Sequence, residues 1–182
     1  MDEGLVILKQ TVAALGVAAM LSACASSFKD PGSIGQHARG AQPRFDPSVP
    51  PMQCVPYARK KSGVKIFGDA YTWWGKAASL YETDDEPQKG SVMVIKGYQN
   101  EERAHVAVVR KILGDREITV DHANWGNDLK TQLDTPVMDV SRSNDWSRVR
   151  VWHMDSQRYG GRVYEVSGFI GPDARSSRGL LW

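Results

Sequence analysis

The sequence predicts an α+β domain built from short helices and antiparallel strands. Stretches 53–63 and 71–81 carry helix-end signals or helical spacing. Residues 91–95 form a compact apolar run, and 104–125 place two β-rich runs on either side of Gly114-Asp115, as a hairpin does. With 41% hydrophobic and 24% charged residues, the 182-residue chain can bury a core and stay soluble. That composition excludes a disordered protein and a polytopic membrane protein. The formal charge of +2 comes without a concentrated basic face, so nucleic acid is not an expected partner. Two cysteines are too few for a disulfide framework or a cysteine-rich zinc site.

Thr11 to Leu21 form an uncharged, largely apolar run. A membrane-spanning helix needs roughly 20 apolar residues, so this run has the length of a signal-peptide core instead. Leu21-Ser22-Ala23-Cys24 follows at once and resembles the lipobox of bacterial lipoproteins. That resemblance implies removal of leader 1–23 and a lipid on Cys24, holding the protein to the cell envelope, facing the periplasm. Other readings fit the same residues. Cleavage after Ala25 would release a secreted protein, and Cys24 could be an apolar filler or pair with Cys54 in an oxidising compartment. Asp2 and Glu3 are unusual so early in a leader, and the true start codon could lie elsewhere. Residues 24–50, rich in Ser, Gly and Pro without apolar periodicity, read as a flexible tether, with His37 a solvated side chain in it.

The segment Gln53-Cys54-Val55-Pro56-Tyr57-Ala58-Arg59-Lys60-Lys61-Ser62-Gly63 reads as a short helix. Pro56 fits only a first turn, the three cations suit the last turn, and Gly63 is a natural stop. Cys54 then sits at the helix start, where unpaired N–H groups favour a thiolate and hence a nucleophile. A buried, inert cysteine is the competing reading. Tyr71, Trp74, Ala77, Ala78 and Tyr81 share one helical face, Asp84 to Gly90 is a turn, and Ser91 to Ile95 is a buried strand.

A two-residue Gly114-Asp115 turn puts His105 opposite Asn124 and Ala107 opposite His122. His105, Ala107 and Val109 then share an inward face with Ile118, Val120, His122 and Asn124, while Asp121 looks away. A cysteine nucleophile needs a base, and the base needs a third polar group to hold its ring. His105 is the candidate base, with Asn124 or His122 as its orienter. Asp121 points the wrong way, and His153, on the strand pattern 148–153, is a lesser alternative base.

These motifs resemble the CHAP family, the cysteine- and histidine-dependent amidohydrolases/peptidases of the papain-like NlpC/P60 group. The resemblance rests on QCVPYAR at 53–59, GDAYTWW at 68–74, PQKGSVMV at 87–94, AHVAVV at 104–109, ITVDHANW at 118–125 and VRVW at 149–152. It implies a papain-like α+β fold, short helices packed on an antiparallel sheet, over a domain at 51–171 followed by a tail at 172–182. It implies Cys54 as nucleophile and His105 as base, with the third position open between Asn124 and His122. The calcium-loop pattern of some members is absent, so no metal and no cofactor are expected.

The implied function is peptidoglycan hydrolysis of amidase or endopeptidase type by acyl-enzyme chemistry. A non-wall cysteine peptidase or acyltransferase would use the same residues, and a wall-binding lipoprotein with a degenerate site is a third class. Which amide is cleaved and the oligomeric state are not legible.

Overall fold

The computed structural model describes residues 40–126 and 128–174. The leader, the lipobox with Cys24, His37 and the tail from 175 onward lie outside the described residues. In chain order the elements are β1 (Arg44–Phe45), α1 (Cys54–Ser62), a 3₁₀ turn (Ala70–Thr72), α2 (Trp73–Leu80), β2 (Tyr81–Asp84) and β3 (Val92–Ile95). A second 3₁₀ turn (Glu101–Arg103) is followed by β4 (His105–Gly114), β5 (Glu117–Ala123), β6 (Thr131–Asp139), β7 (Arg148–His153), β8 (Arg158–Tyr159) and β9 (Tyr164–Ala174).

The expected papain-like layering of helices on an antiparallel sheet is not what forms. The chain is mostly β, and six antiparallel strands close into a barrel in the order β3-β4-β5-β6-β7-β9, with β9 returning to β3. Closure depends on strands that the sequence patterns did not mark. β6 carries a bulge with Asp134 at φ 56° and pairs with β5 along most of its length, while on its other edge Val137, Met138 and Asp139 pair with β7. β9 bends between Val166 and Gly168, pairing β7 at its start, then β3 and β2. Bulges of this kind increase local twist and bend, which a small barrel requires. Gly168, at φ 141°, lets β9 pass Trp74, since a Cβ there would lie 2.4 Å from that ring. β1 adds to the free edge of β6, so chain within the stretch expected as a tether pairs with the barrel.

Alternation along the strands produces two cores. Inside the barrel lie Met93, Ala107, Val109, Ile118, Val120, Val137, Val149, Val151 and Phe169, with Trp146 among them. Outside, Val92, Val94, Val106 and Val108 meet Ala58, Trp73 and Ala77 of the helices. α1 stops at Gly63, whose left-handed backbone (φ 80°) returns its N–H to the Arg59 carbonyl at 3.1 Å. The second helical face is Ala70, Trp73, Ala77 and Tyr81, shifted from the expected one, with Tyr71 and Ala78 exposed. The first turn is 3₁₀, and three residues per turn align Ala70 with Trp73 before α-helical spacing takes over.

The hairpin register differs at its tip and agrees at the site. Gly114 pairs with Glu117, so the turn residues are Asp115 and Arg116, one place beyond the expected pair. Two irregularities, between Val109 and Lys111 and between Ile112 and Gly114, then each absorb an extra β4 residue. The ladder emerges with Val108 opposite Asp121, the register that carries Ala107 towards His122.

Asp121 looks away from the barrel interior and is almost wholly buried against α1. It bonds Arg110 at 2.9 Å and Lys61 at 3.3 Å, and it accepts the Asp134 N–H at 2.9 Å. Removing it strands one buried N–H, while the two partly exposed cations regain some water. Asp121→Ala is therefore expected to lower the unfolding free energy by about 2–3 kcal/mol, and Asp121→Asn by less, since the amide keeps an acceptor. Urea titrations of the two variants check the order, and an unchanged Asp121→Ala would show that the carboxylate is not a structural tie.

Candidate active site

Cys54 opens α1 and is a free thiol, partly buried against the core beneath the helices. The backbone N–H groups of Val106, Val55 and Cys54 itself bear on its sulfur and draw its pKa down. Burial acts more strongly in the other direction and lifts the thiol above its ordinary value of 9.0. The helix start therefore does supply N–H groups, but the balance on the sulfur favours the neutral thiol over the expected thiolate. Desolvation of an anion outweighs a few N–H dipoles.

Val106 follows His105 directly, so the sulfur lies against the strand that carries the histidine. His105, buried at the start of β4, has its Nε2 at 3.0 Å from Nδ1 of His122. The two rings meet edge-on at 5.1 Å. This contact occupies Nε2 and leaves Nδ1 as the nitrogen of His105 available for other chemistry. Trp125 stacks on His122 at 5.6 Å and meets His105 edge-on at 4.9 Å, screening the pair from water. Burial, with the neighbouring His122 adding to it, holds His105 well below its ordinary 6.5. Burial likewise lowers His122 to about 4, against smaller upward pulls from Gln132, Asp121 and Asp128. Both rings are neutral near pH 7.

Asn124 stands elsewhere in the arrangement. Its backbone is left-handed (φ 61°), a conformation Asn tolerates, and its Oδ1 accepts from the Leu129 N–H at 3.0 Å. Its Nδ2 donates to Oε1 of Gln53, the residue capping α1. Asn124 thus ties the loop after β5 to the helix that carries Cys54, while His122 is the group on the His105 ring. His153 is exposed, bonds Ser156 and does not line the cleft.

The cleft has a volume of about 930 Å³ and is lined by Gln53, Cys54, His105, Asn124, Trp125 and Tyr164, among others. That is room for a peptide-sized ligand with both candidate reacting groups in its wall. Among the described residues, no group of three or more His, Cys, Asp or Glu side chains is placed to hold a metal ion.

Two contributors escaped the sequence reading. Trp125 lies inside a quoted motif, but nothing in a single sequence separates a shielding Trp from a packing one. Gln132 is the Cα partner of His122 across β5 and β6 and is itself buried. His122 Nε2 and Gln132 Oε1 are each buried without a hydrogen-bond partner. Gln132 sits in a strand interrupted by Pro136, and its pairing becomes visible only once β6 has been placed beside β5.

The raised thiol pKa gives a direct expectation. At pH 7 Cys54 should alkylate with iodoacetamide no faster than an ordinary cysteine, and its rate should climb with pH through values above 9.0. Peptide mass spectrometry resolves Cys54 from Cys24. Rapid labelling of Cys54 at pH 7 would mean that the resting site holds a thiolate.

Residues 45–124 match the family model described as the CHAP domain, and CHAP domains are generally hydrolase domains. No curated protein matches the chain. The matched stretch begins in β1 and includes Cys54, His105, His122 and Asn124, but it stops before β6 and Gln132. That match supports a CHAP-domain protein.

Proposed function

We propose that the protein is a cysteine amidohydrolase or peptidase that cleaves an amide bond of peptidoglycan through an acyl-enzyme on Cys54. The observation that carries this reading is the meeting of Cys54 and His105 in one cleft, with His105 Nε2 engaged by His122 at 3.0 Å. The CHAP match supports the wall as substrate. The Leu21-Ser22-Ala23-Cys24 segment supports an envelope location through a lipid on Cys24.

The chemistry follows from the protonation states. Cys54 is a neutral thiol at rest and His105 a neutral imidazole, so the proton moves as the sulfur attacks. The Cys54 sulfur bonds to the amide carbonyl carbon, and its proton passes to Nδ1 of His105. Negative charge developing on the carbonyl oxygen can be met by N–H groups at the start of α1. The C–N bond breaks as His105 returns the proton to the departing amine. Water then attacks the thioester, giving its proton to His105 and its hydroxide to the acyl carbon. Release of the acid restores the Cys54 thiol. Throughout, His122 holds the His105 ring in position.

The test is to incubate the full chain and its Cys54→Ala variant with purified peptidoglycan and to identify soluble products by mass spectrometry. Fragments released only by the cysteine-bearing protein are expected, and their masses name the bond. Equal release, or none from either, would sink the wall-hydrolase reading.

The pH dependence follows with its sign. The active base is neutral His105, which protonation inactivates, and its pKa is depressed well below 6.5. Activity should therefore persist as pH falls past 6.5, with the acid limb of kcat/KM at lower pH. An acid limb at or above 6.5 would rule out a desolvated His105 as the base.

A further inference from the structure

The proposed reaction requires that Nδ1 of His105 carry no proton at rest, and the His105–His122 contact alone does not guarantee it. Two neutral imidazoles joined through Nε2 and Nδ1 share one proton between those atoms, and it can belong to either ring. If His105 holds it on Nε2, its Nδ1 is bare and can accept from the thiol. If His122 holds it on Nδ1, His105 carries its own proton on Nδ1 and cannot act as the base. The choice is made by whatever stands at the far edge of His122.

We propose that Gln132 sets this direction: its Oε1 accepts the Nε2–H of His122, leaving His122 Nδ1 an acceptor for His105 Nε2–H, and His105 Nδ1 bare. Three observations support the assignment. Gln132 lies directly opposite His122 in the β5–β6 ladder, and such cross-strand partners share a face and lie within side-chain reach. His122 Nε2 and Gln132 Oε1 are each buried without a hydrogen-bond partner, Gln132 bears on the His122 ring, and a donor and an acceptor so placed can complete one another. Burial of both residues, together with Trp125 stacked on His122, leaves water little chance to substitute. Gln132 therefore acts through His122 as a positioning residue, in a proton chain running Gln132, His122, His105, Cys54. The inference rests on the proposed Cys54–His105 chemistry, although its structural half can be read without any activity.

The titratable and charged groups around the pair are Cys54 from α1, Asp121 on β5 and Asp128 in the loop after it, with Tyr98, Glu102, Arg103, Arg162 and Tyr164 lining the same cleft. Asp121 and Asp128 favour a charged His122, and burial opposes them. A neutral amide at 132 fixes the direction of the chain and pulls towards an imidazolium only as a dipole, not as a full charge. A carboxylate there would fix the same direction and raise the pKa of the pair.

The experiment uses the full chain with ¹⁵N-labelled histidine, comparing wild type, Gln132→Leu and Gln132→Glu. Long-range ¹H–¹⁵N spectra at neutral pH report which nitrogen of each ring is protonated, and steady-state kinetics on peptidoglycan fragments report kcat and KM. Wild type is expected to show both rings protonated on Nε2. Gln132→Leu is expected to move protonation of His105 towards Nδ1 and to lower kcat roughly 100-fold with KM little changed. Gln132→Glu is expected to keep both rings protonated on Nε2 and to retain kcat at alkaline pH, while moving the acid limb of kcat/KM to higher pH. A merely structural role would change stability without moving the tautomer or the pH profile.

A folded Gln132→Leu protein with both rings still protonated on Nε2, or with unchanged kcat, overturns the proposal. If Gln132→Leu does not fold, Gln132→Glu decides alone, and an unmoved acid limb overturns it. If the tautomers respond to Gln132 while wild type releases nothing from peptidoglycan, the proton chain stands and the wall-hydrolase reading falls.

Discussion

Asp121 is a carboxylate almost without solvent contact, so its charge must be balanced where it stands. The groups that balance it come from three places. Arg110 belongs to the β4 bulge, Lys61 to the last turn of α1, and the Asp134 N–H to the bulge in β6. One side chain thus joins the helix carrying the cysteine to the strands carrying the histidines. It also determines which way β5 faces. With Asp121 drawn outward to α1, alternation turns His122 inward, where it meets His105. A shift of one residue would put a carboxylate in the barrel mouth and a histidine under the helix, at the expense of both the core and the site.

The parts of the fold legible in advance were those governed by local rules. α1 was marked at both ends, by Pro56 in its first turn and Gly63 beyond its last. The alternation of β4 and β5 placed His105 and His122 on one face, since apolar β-branched neighbours identify an inward face. The turn between them was placed one residue early, and two β4 bulges compensate. Such bulges leave little trace in a single sequence, because they depend on what the opposite strand tolerates. The barrel itself was not legible. Its closure rests on β6 and β9, whose patterns are interrupted by Pro136, Gly168 and Pro172. A residue that breaks strand alternation reads as loop until the partner strand shows that it is a bend. Asn124 was correctly placed near the site, but the competition for its amide between Gln53 and a histidine could be decided only by the left-handed turn it occupies.

Burial links the two halves of the chemistry. The same desolvation lifts the thiol of Cys54 and lowers both histidines, so burial opposes proton transfer from sulfur to imidazole. A thiolate–imidazolium pair would have to be held in a poorly solvated mouth, with only backbone N–H groups on the sulfur and another neutral ring behind the base. Burial therefore favours the neutral pair. On the proposed mechanism, the imbalance is relieved when the developing charge leaves the sulfur for a carbonyl oxygen that receives N–H donors of its own.

A site of this kind selects its substrate by chemistry as well as by shape. An exposed thiolate attacks any electrophile that reaches it. On the proposed mechanism, a neutral thiol beside a weak, buried base reacts once a bound amide supplies the carbonyl that accepts the charge. The third member then matters for what it lacks. A carboxylate behind His105 would strengthen the base and stabilise the imidazolium, drawing the resting site towards the charged pair. A histidine whose far edge meets an amide orients the ring with only a dipole's pull, not a full charge's. On this argument His122, with Gln132 behind it, keeps the cysteine quiet until substrate is bound, and the enclosed position of the pair at the barrel mouth is what makes the arrangement possible.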